Sequence, residues 1–323
     1  YKNCSIVGRE IIDTMFLSVK YDIGRNFPSW GLKPIIKYLG LEKEGREFYD
    51  ASTIKDNWHN PFERAKIKKY GEEDSDDALA LFDTMIPAYF YTTQSLARSF
   101  QKVINSATGA WINGVLVRSY LQDKHSIPKA YNKGTLEGGM SYGIPGVYKN
   151  VTKWDADSYY PSTILEFGIY PKEKDPNQNY LKMVEFFTTR RFKQKDLFKQ
   201  TRDIIYDNQQ AASKIFINSS YGVLGTSGLN FNDFEQASLI TRCCRAGLQK
   251  SIIWATGKQI DYWWPEYAEG KTATTDFKDF SFIDKHSKIS YSDMDRNDWI
   301  LVNLDTDSLS FAKKDQSEFT QEE

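Results

Sequence analysis

The chain has 323 residues, with 40% hydrophobic and 26% charged side chains, enough for a sizeable core in about two domains. A net charge of −1 and a pI near 6.4 exclude a chain-wide basic character, so any nucleic-acid contact must come from local clusters. The three cysteines (Cys4 and the adjacent Cys243 and Cys244) give neither a disulfide framework nor a zinc spacing, and no apolar run reaches membrane-spanning length. These properties fit a reducing interior compartment, and a cytoplasmic location is expected.

Residues 1 to 123 read as mixed α/β. Ile11 to Val19 is largely apolar, Leu32 to Leu39 has helical spacing, and Asp74 to Phe100 is a long helical region that Pro87 is expected to break. Asp123 to Gly146 is rich in Gly and Pro and reads as a connection between domains. Val147 to Trp154 is β-like and ends at a carboxylate. Leu181 to Tyr206 is helical and basic, carrying Lys182, Arg190, Arg191, Lys193, Lys195, Lys199 and Arg202. A turn is expected at Asp207 and Asn208, then a second helix to Tyr221 that stops at Gly222, forming an antiparallel helix pair. A further helix spans about Asp233 to Thr256. Trp299 to Asn303 and Leu309 to Ala312 are β-like runs around Asp305-Thr306-Asp307-Ser308, a hairpin signature.

Two β-like runs therefore end in acidic residues, one at Asp155 and the other at Asp305 and Asp307. Carboxylates at strand ends can converge on hard cations such as Mg²⁺. Two such ions roughly 3.5–4 Å apart activate an attacking oxygen and stabilise a leaving one. Taken singly, either stretch is equally well a polar turn. Lys214, Asn218 and Tyr221 lie at i, i+4 and i+7, on one face of a helix. A cation, an amide and a ring on one stripe suit phosphate, minor-groove and base contacts. Arg191 and Lys195, at i and i+4, could clamp phosphates, although a basic helix taken alone is more often a solvated face.

Three motifs in this order resemble motifs A, B and C of the family B DNA polymerases. They are Asp155-x-x-Ser158-x-Tyr160-Pro161-Ser162, Lys214-x-x-x-Asn218-Ser219-x-Tyr221-Gly222 and Asp305-Thr306-Asp307-Ser308. Upstream, Glu137-Gly138-Gly139 followed by Gly146-Val147-Tyr148 resembles the Gly-Gly element that links exonuclease and polymerase domains in that family. The resemblance implies that Asp155 and Asp307 bind metal, two Mg²⁺ ions with Mn²⁺ as a possible substitute, and that Asp305 is an accessory carboxylate. Tyr160 would be the steric gate against a 2′-hydroxyl, the group that separates ribonucleotides from deoxyribonucleotides. Ser158, Tyr159, Arg191, Lys195, Lys214 and Asn218 would contact the incoming deoxynucleoside triphosphate. Tyr221, Gly222, Gly138 and Gly139 would contact primer-template DNA.

Lys69-Tyr70-Gly71-Glu72-Glu73-Asp74 resembles the Tyr-x-x-x-Asp motif of the family's 3′–5′ exonuclease, with Asp74 as metal ligand and Tyr70 orienting water. Gly8 to Thr14 resembles the stretch between that domain's second and third motifs. The implied fold is mixed α+β. The C-terminal part of a ribonuclease H-like exonuclease domain would occupy 1–123, and the linker and first part of the palm 124–180. Fingers would follow at 181–225 and the second part of the palm, an antiparallel sheet with helices, at 226–323. On this reading the chain is an incomplete piece without a thumb or the other acidic exonuclease motifs, and it does not proofread alone.

Leu304 stands where the family usually has Gly, and Tyr159 where Leu is usual. Only 59 residues (214 − 155) separate Asp155 from Lys214, and Val223 follows Tyr221-Gly222, which favours a compact, phage-like member primed by nucleic acid. The competing readings are a DNA-binding relative without catalysis and a ribonuclease H-like nuclease. The intact Asp155, Asp307, Lys214 and Arg191 set argues against the first, and the missing acidic motifs against the second.

Overall fold

The computed structural model describes residues 5–22, 24–96, 98–268 and 298–320, so Cys4 lies outside the described residues. The chain divides into two compact units, Tyr1–Trp111 with Arg191–Ser213, and Ile112–Arg190 with Lys214–Glu323.

The first unit contains α1 (Thr14–Tyr21), α2 (Leu32–Tyr38), a 3₁₀ turn (Ala51–Thr53), α3 (Ile54–Asn57), α4 (Pro61–Gln94), α5 (Phe100–Asn105) and the start of α6 (Thr108–Gln122). Asn60 caps α4 through its side chain, with Pro61 at the first helical position, where no N–H is missed. Contrary to expectation, α4 begins well before Asp74 and runs through Pro87 without a break. Leu81, Met85 and Tyr89, four residues apart, keep one stripe buried across the proline. Asp83 is exposed, so water can satisfy the carbonyl that Pro87 cannot reach. Leu17, Ile35, Ile36, Val103, Ile104 and Trp111 complete this core, and the Trp111 indole N–H donates to the Val103 carbonyl at 3.1 Å.

The end of α8 (Asn179–Thr201) and the start of α9 (Ile204–Leu224) also belong to this unit. The turn between them lies at Arg202 and Asp203, not at Asp207 and Asn208. Arg202 adopts a left-handed φ of 57°, and the Asp203 carboxylate accepts the Ile205 N–H at 2.9 Å as a cap. Asp207 sits in the first turn of α9, where a negative charge suits the helix dipole. The Gln194 amide donates to Gln209 at 3.1 Å and accepts the Ser213 hydroxyl at 3.0 Å, tying the two helices together here.

In the second unit, four strands form one antiparallel sheet in the order β1-β3-β4-β2: β1 (Ser141–Gly143), β2 (Thr152–Asp155), β3 (Trp299–Asp305) and β4 (Ser308–Lys313). The β-like run expected from Val147 shrinks to β2, because Val147 and Val151 are exposed with no sheet partner to cover them. The Gly- and Pro-rich connection, in turn, contributes β1.

Trp299, Leu301, Leu304, Leu309 and Phe311 point to one face and pack with Met140 and with Leu248, Ile252 and Ala255 of α10 (Phe234–Thr256). The register shifts between Leu301 and Asn303, so Val302 is an extra residue on β3, and its carbonyl accepts the Ile144 N–H at 2.9 Å. Helix α7 (Tyr159–Glu166) follows β2, while α11 (Ile260–Trp263) and α12 (Pro265–Ala268) follow α10. Asp233 caps α10, and Gly257 ends it at a φ of 67°.

The proximal parts of α8 and α9 also lie in this unit. The Tyr180 hydroxyl donates to the Ser220 carbonyl at 3.1 Å, and Phe187 stacks on Phe216 at 3.9 Å. Helix α9 does not stop at Gly222; it continues to Leu224, because Val223 and Leu224 are fully buried and anchor another half turn. Among the described residues, no helix is long and apolar enough to cross a membrane.

Candidate active site

The sheet pairing sorts side chains onto two faces. Tyr142, Leu304, Leu309 and Trp154 are successive cross-strand partners on the core face. Ser141, Asp305, Ser308 and Asp155 are therefore aligned across the opposite face, at one end of the sheet. Asp307 occupies the tip of the hairpin between Asp305 and Ser308, and its carbonyl accepts the Ala156 N–H at 2.9 Å. Three carboxylates distant in sequence are thus brought to one edge. Thr306 takes a φ of 49° beside Asp307, in the manner of the primed turns that match strand twist.

Asp155 and Asp305 flank β4, so two strand spacings, roughly 10 Å, separate their backbones, with Asp307 between them. That spread accords with the finding that no group of three or more His, Cys, Asp or Glu among the described residues stands ready to hold a metal. Partial desolvation at the hairpin, then the charges of Asp155 and Asp305, hold the Asp307 carboxyl above the usual carboxylate range. Lys153, two residues back on β2, reaches Asp155 at 3.2 Å in an exposed pair, which contributes little. Asp305 accepts the Ser141 hydroxyl at 2.5 Å.

Leu304 is 1% exposed and buried in the core beneath the sheet, so its side chain points away from the carboxylate face.

The segment before β1 lies against the hairpin tip. The Thr306 N–H donates to the Met140 carbonyl at 2.8 Å, and a Cβ at Gly139 would stand 3.0 Å from Thr306 and 3.3 Å from the Tyr160 hydroxyl. Only a residue without a side chain fits this approach comfortably. Arg245 of α10 holds the segment from behind. Its guanidinium, 1% exposed, donates to the Gly138 carbonyl at 2.6 Å and to the Glu137 carboxylate at 2.7 Å, while Thr241 bonds the Glu137 carbonyl at 2.7 Å. Sequence reasoning missed Arg245; the one signal available was an arginine on the apolar face of a helix.

Ser158, at φ 56° and ψ 45°, turns the chain sharply from β2 into α7. Tyr159 and Tyr160 follow at the start of α7, and burial raises both phenols out of the titrating range. The Tyr160 ring lies 4.9 Å from the Tyr221 ring at a tilt of 48°. Lys214 and Asn218 are exposed and Tyr221 half-buried, so the three form one accessible stripe of α9, as their spacing predicts. Gly222 has open space around its Cα.

Arg191 and Lys195 lie in the first unit, Arg191 buried and Lys195 half-buried. Tyr70 and Asp74 lie on α4 of the same unit. The Asp74 carboxylate pairs with Arg46 at 2.5 Å and with Lys33 at 3.9 Å, and Lys33 also bonds the Tyr70 hydroxyl. Arg46 bridges on to buried Asp77.

Comparison with known proteins yields a family. Residues 172–314 match the model of "DNA polymerase family B"; that span includes the Lys214 and Asp305 motifs but begins after Asp155. DNA polymerase 2 of Aeropyrum pernix is 22% identical over 256 residues, which are 68% of this chain and 32% of that protein. The solved structure of the family B DNA polymerase from the hyperthermophilic archaeon Pyrobaculum calidifontis superposes with a TM-score of 0.68 at 19% identity, covering 96% of this chain and 40% of that one. The chain spans about a third of the length of the curated relative that it matches. Over the matched segment the chain is similar to the family B DNA polymerases, and its fold is similar to a solved member of that family.

Proposed function

We propose that this chain supplies the polymerising centre of a DNA-directed DNA polymerase, transferring deoxynucleotides to a primer 3′-hydroxyl on a DNA template during DNA replication. One observation carries the reading: Asp155, Asp305 and Asp307 meet at one edge of the sheet, beside the Tyr160–Tyr221 ring pair. A fold that only bound DNA would gain nothing from setting carboxylates against one another near a polyanion. Deoxynucleoside triphosphates and primer-template DNA are the corresponding substrates, and the phage-like, nucleic-acid-primed character belongs to the same proposal.

The carboxylates fit divalent metal. They are hard oxygen donors, and the proton affinity of Asp307, raised in part by Asp155 and Asp305, marks a place where a cation would relieve repulsion. Asp155 and Asp307 are the proposed holders of two Mg²⁺ ions, with Asp305 as accessory. When bound, such ions activate the attacking oxygen and stabilise the departing pyrophosphate.

The protein's own part is positioning and charge. Arg191, Lys195 and Lys214 offset triphosphate charge, and the Ser158 to Tyr159 turn presents backbone amides to it. Tyr160 closes the space a 2′-hydroxyl would need, while Asn218, Tyr221, Gly222, Gly138 and Gly139 contact the nucleotide or the duplex. Tyr70 and Asp74 are proposed as the remnant of a proofreading domain that is inactive in this chain alone. The test is extension of a primed template with Mg²⁺. The unsubstituted protein extends it and Asp307→Ala does not; extension by that variant at the unsubstituted rate refutes the assignment.

A further inference from the structure

Tyr159 departs from the leucine usual at its position, and its hydroxyl has a specific partner. The phenol donates to the Cys244 backbone carbonyl of α10 at 2.8 Å, and one turn on, the Thr163 hydroxyl lies 3.3 Å from the Cys244 sulfur. Burial raises the Cys244 thiol to about 12, so it stays a neutral packing group. Gly247, one turn after Cys244 in the middle of α10, faces the same phenol. A Cβ at Gly247 would stand 2.3 Å from the Tyr159 hydroxyl oxygen, but 3.5 Å from the ring carbon that bears it. Only a glycine leaves room for that oxygen. A glycine inside a helix is otherwise unfavourable, so the phenol and the missing side chain explain each other.

We propose that Tyr159 and Gly247 form a co-adapted lock between α7 and α10, and that Tyr159 is a positioning residue for sugar selection. The proposal rests on the polymerase reading above. Tyr160, the next residue on α7, is set between Tyr221 and the glycine at 139. A shift of α7 by the size of a lost hydrogen bond would open the space that Tyr160 closes. The lock fixes α7 by one directed bond in addition to apolar packing, which specifies a position more sharply than a leucine can.

The test is a double substitution in the intact protein. Gly247→Ala alone should lower the thermal midpoint by several degrees. In the Tyr159→Phe background the obstructing oxygen is gone, and the same Gly247→Ala change should raise the midpoint, because alanine is the better helix residue. This reversal of sign would establish the lock. Gly247→Ala lowering the midpoint equally in both backgrounds would overturn it.

The second readout is the ratio of kcat/KM for ribonucleotide against deoxyribonucleotide on a primed template. Tyr159→Phe should raise that ratio about threefold to tenfold. A ratio unmoved in both single variants, with extension intact, would overturn the positioning role. Absence of extension by the unsubstituted protein would defeat the parent reading and the sugar role with it, while the thermal measurements would still decide the lock.

Discussion

Asp74 and Asp77 in one unit, and Asp155, Asp305 and Asp307 in the other, are both gatherings of carboxylates, but their counter-charges differ. Asp74 and Asp77 share the buried guanidinium of Arg46, with Lys33 close to Asp74. At the sheet edge, the exposed Lys153 pairs with Asp155. The first group is settled internally and works as a fixed joint between α4 and the chain around Arg46. The second is less fully neutralised and carries mutual repulsion, which raises the Asp307 carboxyl. Acidity alone does not separate the two groups; how far each is neutralised from within does.

This contrast can be broken most forcefully at Asp307. Asp307→Asn should reduce primer extension by about 10³-fold or more, while the thermal midpoint stays level or rises because like-charge repulsion is removed. A lowered midpoint would contradict the account of the repulsion. At Arg46 the reverse holds: Arg46→Gln should cost about 3 kcal/mol at neutral pH, since it strands buried Asp77.

The pH dependence of that loss has a definite sign. Burial already raises the Asp77 carboxyl, opposed by Arg46, and removing the guanidinium raises it further. The native state then binds more protons than the unfolded chain, so stability falls as pH rises through the raised value and returns below it. Urea unfolding should show the variant closing part of its gap to the unsubstituted protein as the pH is lowered from neutral towards the ordinary carboxylate range.

Arg245→Met should cost a similar ~3 kcal/mol in stability and leave Gly138 to Ser141 loose against the hairpin tip. Extension should fall more than folding stability explains, and a KM for primer-template that rises while kcat holds would show that only binding was affected. The smallest effect concerns the joint between α8 and α9. Asp203→Ala should lose about 1 kcal/mol as a lost cap, and Asp207→Ala only a few tenths. Equal losses in denaturant titrations would move the turn back towards Asp207.

Much of the second unit's fold was legible because its motifs are short ordered patterns. Asp155, Lys214 to Gly222 and Asp305 to Ser308 each join a distinctive polar set to an element of clear periodicity. The helix limits were less legible. Asp203 and Asp207 are equally good turn residues in sequence, and only the left-handed Arg202 decides between them. Pro87 reads as a break because the sequence does not show that Leu81, Met85 and Tyr89 are buried on one stripe. Arg245 and the Tyr159–Gly247 pair were invisible, since each depends on a partner between 85 and 108 residues away.

The bulge at Val302 bears on all of this by simple parity. A strand shows its residues alternately, and Trp299 and Leu301 set the beat for the core. Were Val302 counted in the ladder, Asn303 and Asp305 would fall on the same beat as Leu301, and a carboxylate would be driven into the apolar interior while Leu304 took its place outside. The carboxylate face therefore depends on Val302 standing out of the ladder more than on which side chain that position carries. Exchanges at that position, and its deletion, which leaves Leu301, Asn303, Leu304 and Asp305 in regular alternation, should be forgiven far more readily than the insertion of a further residue beside it.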